Sequence, residues 1–313
     1  MAAFGAQFHH FHDALRHPPG LGSIGADELR RMIDFIGRQR ILPAAEWIDR
    51  AAGDTLPADA VCLTFDDTLR CQYDVAAPVL RERGLSACFM VNTSVLTGGM
   101  EMLELHRRFR ARFFPSVEAF CDAFEQQIAS SRHCHRVSQA LLRFNARSCL
   151  PAAVSPVERR FRFIRDDVLG HEAYHEIMDR MIADHGIEPS DLAAGVWMTP
   201  DHLLTLHREG HVIGLHSHTH PTRMARLSPQ QQRDEYTANW RMVRQITGAA
   251  PTVMSHPCDS YSPYTLSILR QLGVRAGFRA SMVDRPPGCA FEHSRQCQAM
   301  IARGMTAPAA LAA

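Results

Sequence analysis

The sequence predicts an α/β protein built on a parallel sheet, and three observations lead there. Between residues 61 and 91, an apolar strand (Val61 to Phe65) is followed by a helix over Asp74 to Arg83. A closing Gly84 and a second apolar strand, Cys88-Phe89-Met90-Val91, complete the unit. Strands covered on both faces are apolar throughout, so this order reads as a βαβ unit. The same rhythm resumes at Thr199 and runs to residue 279. Finally, two chemically capable segments, Thr64-Phe65-Asp66-Asp67 and His216-Ser217-His218-Thr219-His220, each follow a predicted strand. The carboxyl ends of parallel strands are where ligands gather in such folds.

The elements follow in order. The first 60 residues read as a strand over Ala6 to His12, a loop broken by Pro18-Pro19-Gly20 and Gly22, and a helix with Leu29, Met32, Ile33 and Ile36 on one face. Strand alternation places His10 and His12 on one face, where they could line a pocket, and His9 on the other. The middle of the chain, 95–195, is rich in Arg, His and Phe at helical spacing, as in Phe120, Phe124 and Ile128, then Tyr174, Ile177, Met178 and Met181. Its basic clusters read most simply as solvated helix faces. From Thr199 come a helix over Pro200 to Arg208, strand 211–215 and helix 228–246 with Ser228-Pro229 as cap and first turn. Strand 252–255, helix 262–272 ended by Gly273, and strand 274–279 follow. The last 30 residues carry Pro286-Pro287-Gly288 and an Ala-rich tail expected to fray.

Composition excludes several classes of function. A net charge of +1, with 46% hydrophobic and 21% charged residues, suits a globular chain and gives no reason to expect nucleic acid as a partner. All 34 basic residues are arginine, which removes Schiff-base and P-loop lysine chemistry. The nine cysteines form no C-x-x-C pair and suit neither a structural zinc site nor a disulfide framework. No run approaches the roughly 18 apolar residues of a membrane span, and no basic-then-apolar export signal opens the chain. A cytoplasmic location is the expectation.

Adjacent carboxylates and two imidazoles four residues apart are the right groups for metal-assisted hydrolysis. One carboxylate and two histidines can hold an ion with an open position, and the second carboxylate can serve as a base. Taken singly, Asp-Asp after a strand is a cap or turn, and a histidine-rich loop is a polar surface loop. Both together, each after a strand, point to a site.

The pattern Thr-Phe-Asp-Asp followed by His-Ser-x-x-His resembles the first two motifs of the polysaccharide deacetylases (carbohydrate esterase family 4, the NodB-homology fold). The flanking residues agree: Cys62-Leu63 before the first motif, then Pro78-Val79-Leu80 and Gly84. Trp197-Met198 and Gly210-His211-Val212-Ile213-Gly214 precede the second. The resemblance covers about residues 55–95 and 195–280. It implies a distorted (β/α) barrel, with 1–313 as a single catalytic domain. It further implies that Asp67, His216 and His220 bind one divalent metal ion, most often Zn²⁺, and that Asp66 is the base that activates water.

The chain departs from the family in three places. Where the third motif has Arg-Pro-Pro-Tyr or a relative, this chain has Ser255-His256-Pro257-Cys258-Asp259-Ser260-Tyr261, without the arginine that orients the base. The late Leu-x-Leu-His motif that supplies the general acid is not found. His256 or His293 could replace it, and His10, Tyr261 and Arg295 are further candidates for contact with substrate. Lastly, 149 positions separate Asp67 from His216. We read 95–195 as a mostly helical insertion over the barrel mouth, closing or shaping the substrate site.

The function expected is removal of an acetyl group from an N-acetylated sugar or glycan precursor. The rivals are a same-fold amidohydrolase or O-deacetylase acting on another substrate, and a non-catalytic carbohydrate-binding relative.

Overall fold

The computed structural model describes residues 3–20, 22–144, 155–282 and 289–306. The Pro286-Pro287-Gly288 segment and the Ala-rich tail lie outside the described residues. Contacts divide the chain into two units, 1–100 with 195–313, and 101–194.

The first unit is built on seven strands: β1 (Phe4–Phe8), β2 (Val61–Asp66), β3 (Cys88–Val91), β4 (Val212–Leu215), β5 (Val253–Ser255), β6 (Ala276–Phe278) and β7 (Arg295–Cys297). All pair in parallel, in the order β6-β5-β4-β3-β2-β1-β7. The two edge strands then meet. Phe278 bridges His293 in parallel, and the amides of Gly277, Arg279 and His293 bond to Ala290, His293 and Gly277 carbonyls at 2.9 Å each. These bonds use groups that an open sheet would leave unpaired, and the sheet becomes a nearly closed barrel.

Burial explains the unbroken apolar strands. Every residue of β1, β2 and β3 is buried. Phe65 stacks on Phe8 and Phe89 with ring centroids 5.4 and 4.8 Å apart, joining three neighbouring strands through one aromatic row. Trp47 of helix Ala44–Ala52 stacks against Phe278 at 4.8 Å and packs in one cluster with Cys62, Cys88 and Met90. That helix was not foreseen in the sequence, although Trp47, Ile48 and Ala51 are all buried.

The first strand is shorter than expected. It ends at Phe8, so the alternation drawn through His12 does not hold beyond that residue. The last strand, β7, and helix Gln298–Thr306 were also not foreseen. Arg295-Gln296-Cys297 has no apolar run to announce a strand, and its pairing with Gly5, Ala6 and Gln7 is nonlocal.

The second unit consists of helices, chiefly Met102–Phe113, Val117–Ala129, Cys134–Leu141, Pro156–Arg162 and Gly170–Asp184. Glu101, Ser116 and Ser155 cap three of them by accepting backbone amides of the first turn. Phe120, Phe124, Phe161 and Tyr174 form its aromatic centre.

His106 is buried in this unit, and burial, with His175 and His171 nearby, pushes its imidazole down to about 3 from an ordinary value of 6.5. Below pH 6.5 the unfolded chain binds a proton there that the folded one refuses, so stability falls as pH falls toward 3. One such group is worth about 1.4 kcal/mol per pH unit, hence about 2 kcal/mol between pH 6.5 and 5. Urea unfolding of the native chain and His106→Gln at both values should show a shallower pH dependence in the variant. Parallel losses would refute the assignment.

Candidate active site

The site is assembled at the carboxyl ends of the strands. Asp66 is the last residue of β2, and Asp67 follows it in a left-handed conformation with φ 77°, as does Thr68 with φ 60°. Such conformations are costly for residues with a Cβ, and they collect where the chain must aim a side chain. Here the turn separates the two carboxylates. Asp66 stays in the barrel interior at 1% exposure, and Asp67 comes out beside the histidines at 23% for its side chain. Buried Thr68 holds the turn through its hydroxyl, which bonds to Asn92.

His216 follows β4 directly, and His220 lies four residues on, after a loop in which Ser217 (φ 63°) and His220 (φ 58°) are both left-handed. Oδ1 of Asp67 lies 3.3 Å from Nε2 of His216 and 3.5 Å from Nε2 of His220. One ligand atom from each of the three residues falls within 4.8 Å of the others.

These residues suit a divalent ion. Nδ1 of His216 lies 2.9 Å from the Ser255 carbonyl, which can only accept; Nδ1 therefore carries the proton and Nε2 is free to ligate. Oδ1 of Asp67, facing both Nε2 atoms, is buried without a hydrogen-bond partner. A negative oxygen left unpartnered against two imidazole nitrogens is the disposition that a cation would satisfy.

Asp66 is held differently. Nη1 of Arg295 donates to it at 2.8 Å, Nε2 of Gln7 at 3.2 Å and Oγ of Ser255 at 3.3 Å. Burial works to raise this carboxyl, but the Arg295 guanidinium, with His216 and His9, outweighs it and holds the group down at about 2. Burial likewise opposes Asp67, and the adjacent imidazole of His216 with the charges of His220 and His9 keeps it well below the usual range. Burial pushes His220 down to about 4 despite Asp67. His216 moves the other way: burial opposes its charge, and Asp66 and Asp67 raise it.

Several expected substrate contacts have other roles. Arg295 is 1% exposed and ion-paired to Asp66, with its Nε donating to the Arg279 carbonyl at 2.8 Å, so it does not face a substrate. It reaches Asp66 from β7, whereas the segment after β5 carries no arginine. His256 is buried, bonded through Nε2 to the Phe291 carbonyl at 3.0 Å and stacked on Tyr261 at 4.0 Å. His293 is buried edge-on against Trp47 at 4.8 Å. Neither is open to substrate. Tyr261 is part-buried, and its hydroxyl donates to Glu292. His10 lies beyond the end of β1 and stacks on His9 at 6.0 Å. It is His9 whose Nε2 reaches 3.7 Å from Asp67 and 3.9 Å from Asp66, with 32% of its side chain exposed.

Sequence reasoning named His9 beside His10 and His12 but set it on the other strand face, and it did not single out Gln7 or Ser255. The strand parity that excluded His9 would have admitted it had the strand been ended at Phe8.

A model of the polysaccharide deacetylase family matches residues 172–277, a stretch that includes His216 and His220. Over that stretch, about a third of its length, the chain is similar to the polysaccharide deacetylases. The fold agrees. The Streptococcus pyogenes deacetylase PplD, solved with acetate, superposes with TM-score 0.56 at 13% identity, over 95% of this chain and 92% of its own. IcaB from Ammonifex degensii gives 0.51 at 14% identity, over 94% and 91%. The deacetylase domain of BpsB from Bordetella bronchiseptica gives 0.50 at 14%, over 94% and 97%. At these identities the likeness is one of fold. No curated protein matches the chain significantly. Among the described residues, no helix is long and apolar enough to cross a membrane.

Proposed function

We propose that this polysaccharide deacetylase relative is a metal-dependent hydrolase that removes acetyl groups from an N-acetylated sugar or glycan precursor. The observation that carries the reading is the division of labour between neighbouring carboxylates. Asp67 converges with His216 and His220 on one point, while Asp66 stands beside them, ionised and tied to Arg295. A binding site has no need of that second carboxylate. PplD, similar in fold, was solved with acetate, the product that such a reaction would release.

Asp67, His216 and His220 would hold the ion, which when bound supplies Lewis acidity to a water and to the acetyl carbonyl. The chain's own residues do the rest. Asp66 accepts the proton that the attacking water must lose, and Arg295, Gln7 and Ser255 fix its oxygens for that task. His9, partly exposed beside both carboxylates, is the group placed to give a proton to the departing amine, the role expected of His256 or His293.

Metal content by mass spectrometry tests the first half of this reading. We expect about one zinc or similar ion per native chain and its loss in both Asp67→Ala and His216→Ala. Release of acetate from acetylated sugars tests the second half. A chain that takes up no ion when zinc is supplied would bring the non-catalytic reading forward. Release of acetate from O-acetylated sugars only would favour the O-deacetylase.

A further inference from the structure

We infer that helix Pro229–Thr247 clamps the loop carrying His216 and His220, with Glu235 and Asn239 as positioning residues for the metal ligands. This inference rests on the reading of Asp67, His216 and His220 as ligands.

The loop needs holding. Two of its five residues, Ser217 and His220, carry side chains in the left-handed region. Such conformations are unfavourable for residues with a Cβ and persist only where the surroundings impose them. Left to itself the segment would relax, and the two imidazoles would part. Ligands must be kept within roughly 0.5 Å of the productive arrangement to be of use.

Glu235 and Asn239 lie one helical turn apart and so share a face. Oε2 of Glu235 accepts two successive loop amides, those of His218 at 2.9 Å and Thr219 at 2.8 Å. Its Oε1 accepts the Thr219 hydroxyl at 2.6 Å. One carboxylate thus holds the two residues nearest the middle of the span between the ligands. Bonds from neutral donors to an ionised acceptor are also the stronger kind.

Asn239 is fully buried and sets the loop's other end. Its Oδ1 accepts the amide of His216 at 3.1 Å. Its Nδ2 donates to the Val91 carbonyl at 2.9 Å and to the Thr93 hydroxyl at 3.1 Å, beyond the end of β3. Thr93 Oγ1 in turn lies 2.9 Å from Nδ1 of His218. The histidine between the two ligands is thereby used as an anchor. Bonds at His216, His218 and Thr219, with the His220 amide on Ser217 Oγ at 3.1 Å, hold the segment between the two imidazoles.

The chemistry of the two residues separates positioning from simple support of the fold. Glutamine at 235 keeps one oxygen for the two amides and offers its NH₂ to the Thr219 hydroxyl, which can accept. Alanine keeps none of these. Aspartate at 239 has the size of asparagine but turns an oxygen toward the Val91 carbonyl, acceptor against acceptor.

The test is zinc affinity of the full chain, read by competition with a chromogenic chelator, beside the thermal midpoint of the metal-free protein. Groups that support metal ligands from behind typically contribute 10–100-fold in affinity. We expect Glu235→Ala and Asn239→Asp to weaken zinc binding at least about tenfold, and Glu235→Gln to restore it to within about threefold of native. These shifts should exceed what the metal-free midpoints account for. Native affinity in both Glu235→Ala and Asn239→Asp would overturn the clamp alone. A loss in Glu235→Gln as large as in Glu235→Ala would also overturn it. A native chain that binds no zinc overturns the functional reading and the clamp with it.

Discussion

Replacing Asp66 by asparagine is expected to lower acetate release by about 10²–10⁴-fold, the usual contribution of a positioned general base, while zinc content stays at the native level. The substitution is a clean probe because of where Asp66 sits. Its carboxylate is surrounded by donors from Arg295, Gln7 and Ser255. An asparagine retains an acceptor for Arg295 and fills the same volume, but it takes up no proton. Asp66 is also kept apart from the point where Asp67, His216 and His220 meet. Measuring zinc and turnover on the same preparation separates two outcomes. Loss of turnover with zinc retained supports the base, whereas loss of both would make Asp66 a ligand. Undiminished turnover would end its assignment.

Arg295→Met is expected to cost about 3–5 kcal/mol of folding stability, the range for removing one partner of a buried ion pair. Arg295 and Asp66 are each 1% exposed, and Nη1 lies 2.8 Å from the carboxylate. Without the guanidinium, burial acts on Asp66 with less opposition, and the carboxyl rises toward values at which it is protonated or destabilises the fold. Urea unfolding of Arg295→Met, Asp66→Asn and the double variant gives the coupling directly. We expect the double variant to be more stable than the sum of the single losses, because no uncompensated charge remains. Strict additivity would show that the pair is not coupled. The barrel is also shaped around this arginine. A Cβ on Gly5, its partner in β1, would fall 2.9 Å from Cγ of Arg295 and 2.9 Å from Cε1 of Phe278. Gly5 is therefore the gap through which the arginine passes.

The parts of the site legible in the sequence are those whose signal is local. Asp66-Asp67 follows an apolar strand, and two histidines four apart follow another. The resemblance to deacetylases rested on the same two segments, and the family model matches across the second of them. Arg295 was weighed as a substrate contact and His10 as a pocket residue. Arg295 instead pairs with buried Asp66, and it is His9 that lies beside the carboxylates. Arg295 lies in a three-residue strand that forms only by pairing with β1, 290 positions earlier at Gly5. His10 was placed by continuing an alternation beyond the end of β1 at Phe8, where parity no longer holds. Glu235 and Asn239 went unnoticed because a polar pair on a long helix reads as a solvated face. Only the fold brings that face under the histidine loop.

Sequence by itself determined the apolar strands, the parallel βα rhythm and the two motifs. Each of these depends on neighbours along the chain: hydrophobic runs that bury on both faces, caps, and short spacings. Tertiary structure decided which groups surround Asp66 and which histidine reaches it. Those choices depend on barrel closure, which brings β1, β5 and β7 around the end of β2. A side chain's partner there is set by strand register across the barrel, and register is a property of pairing that no local run of residues contains.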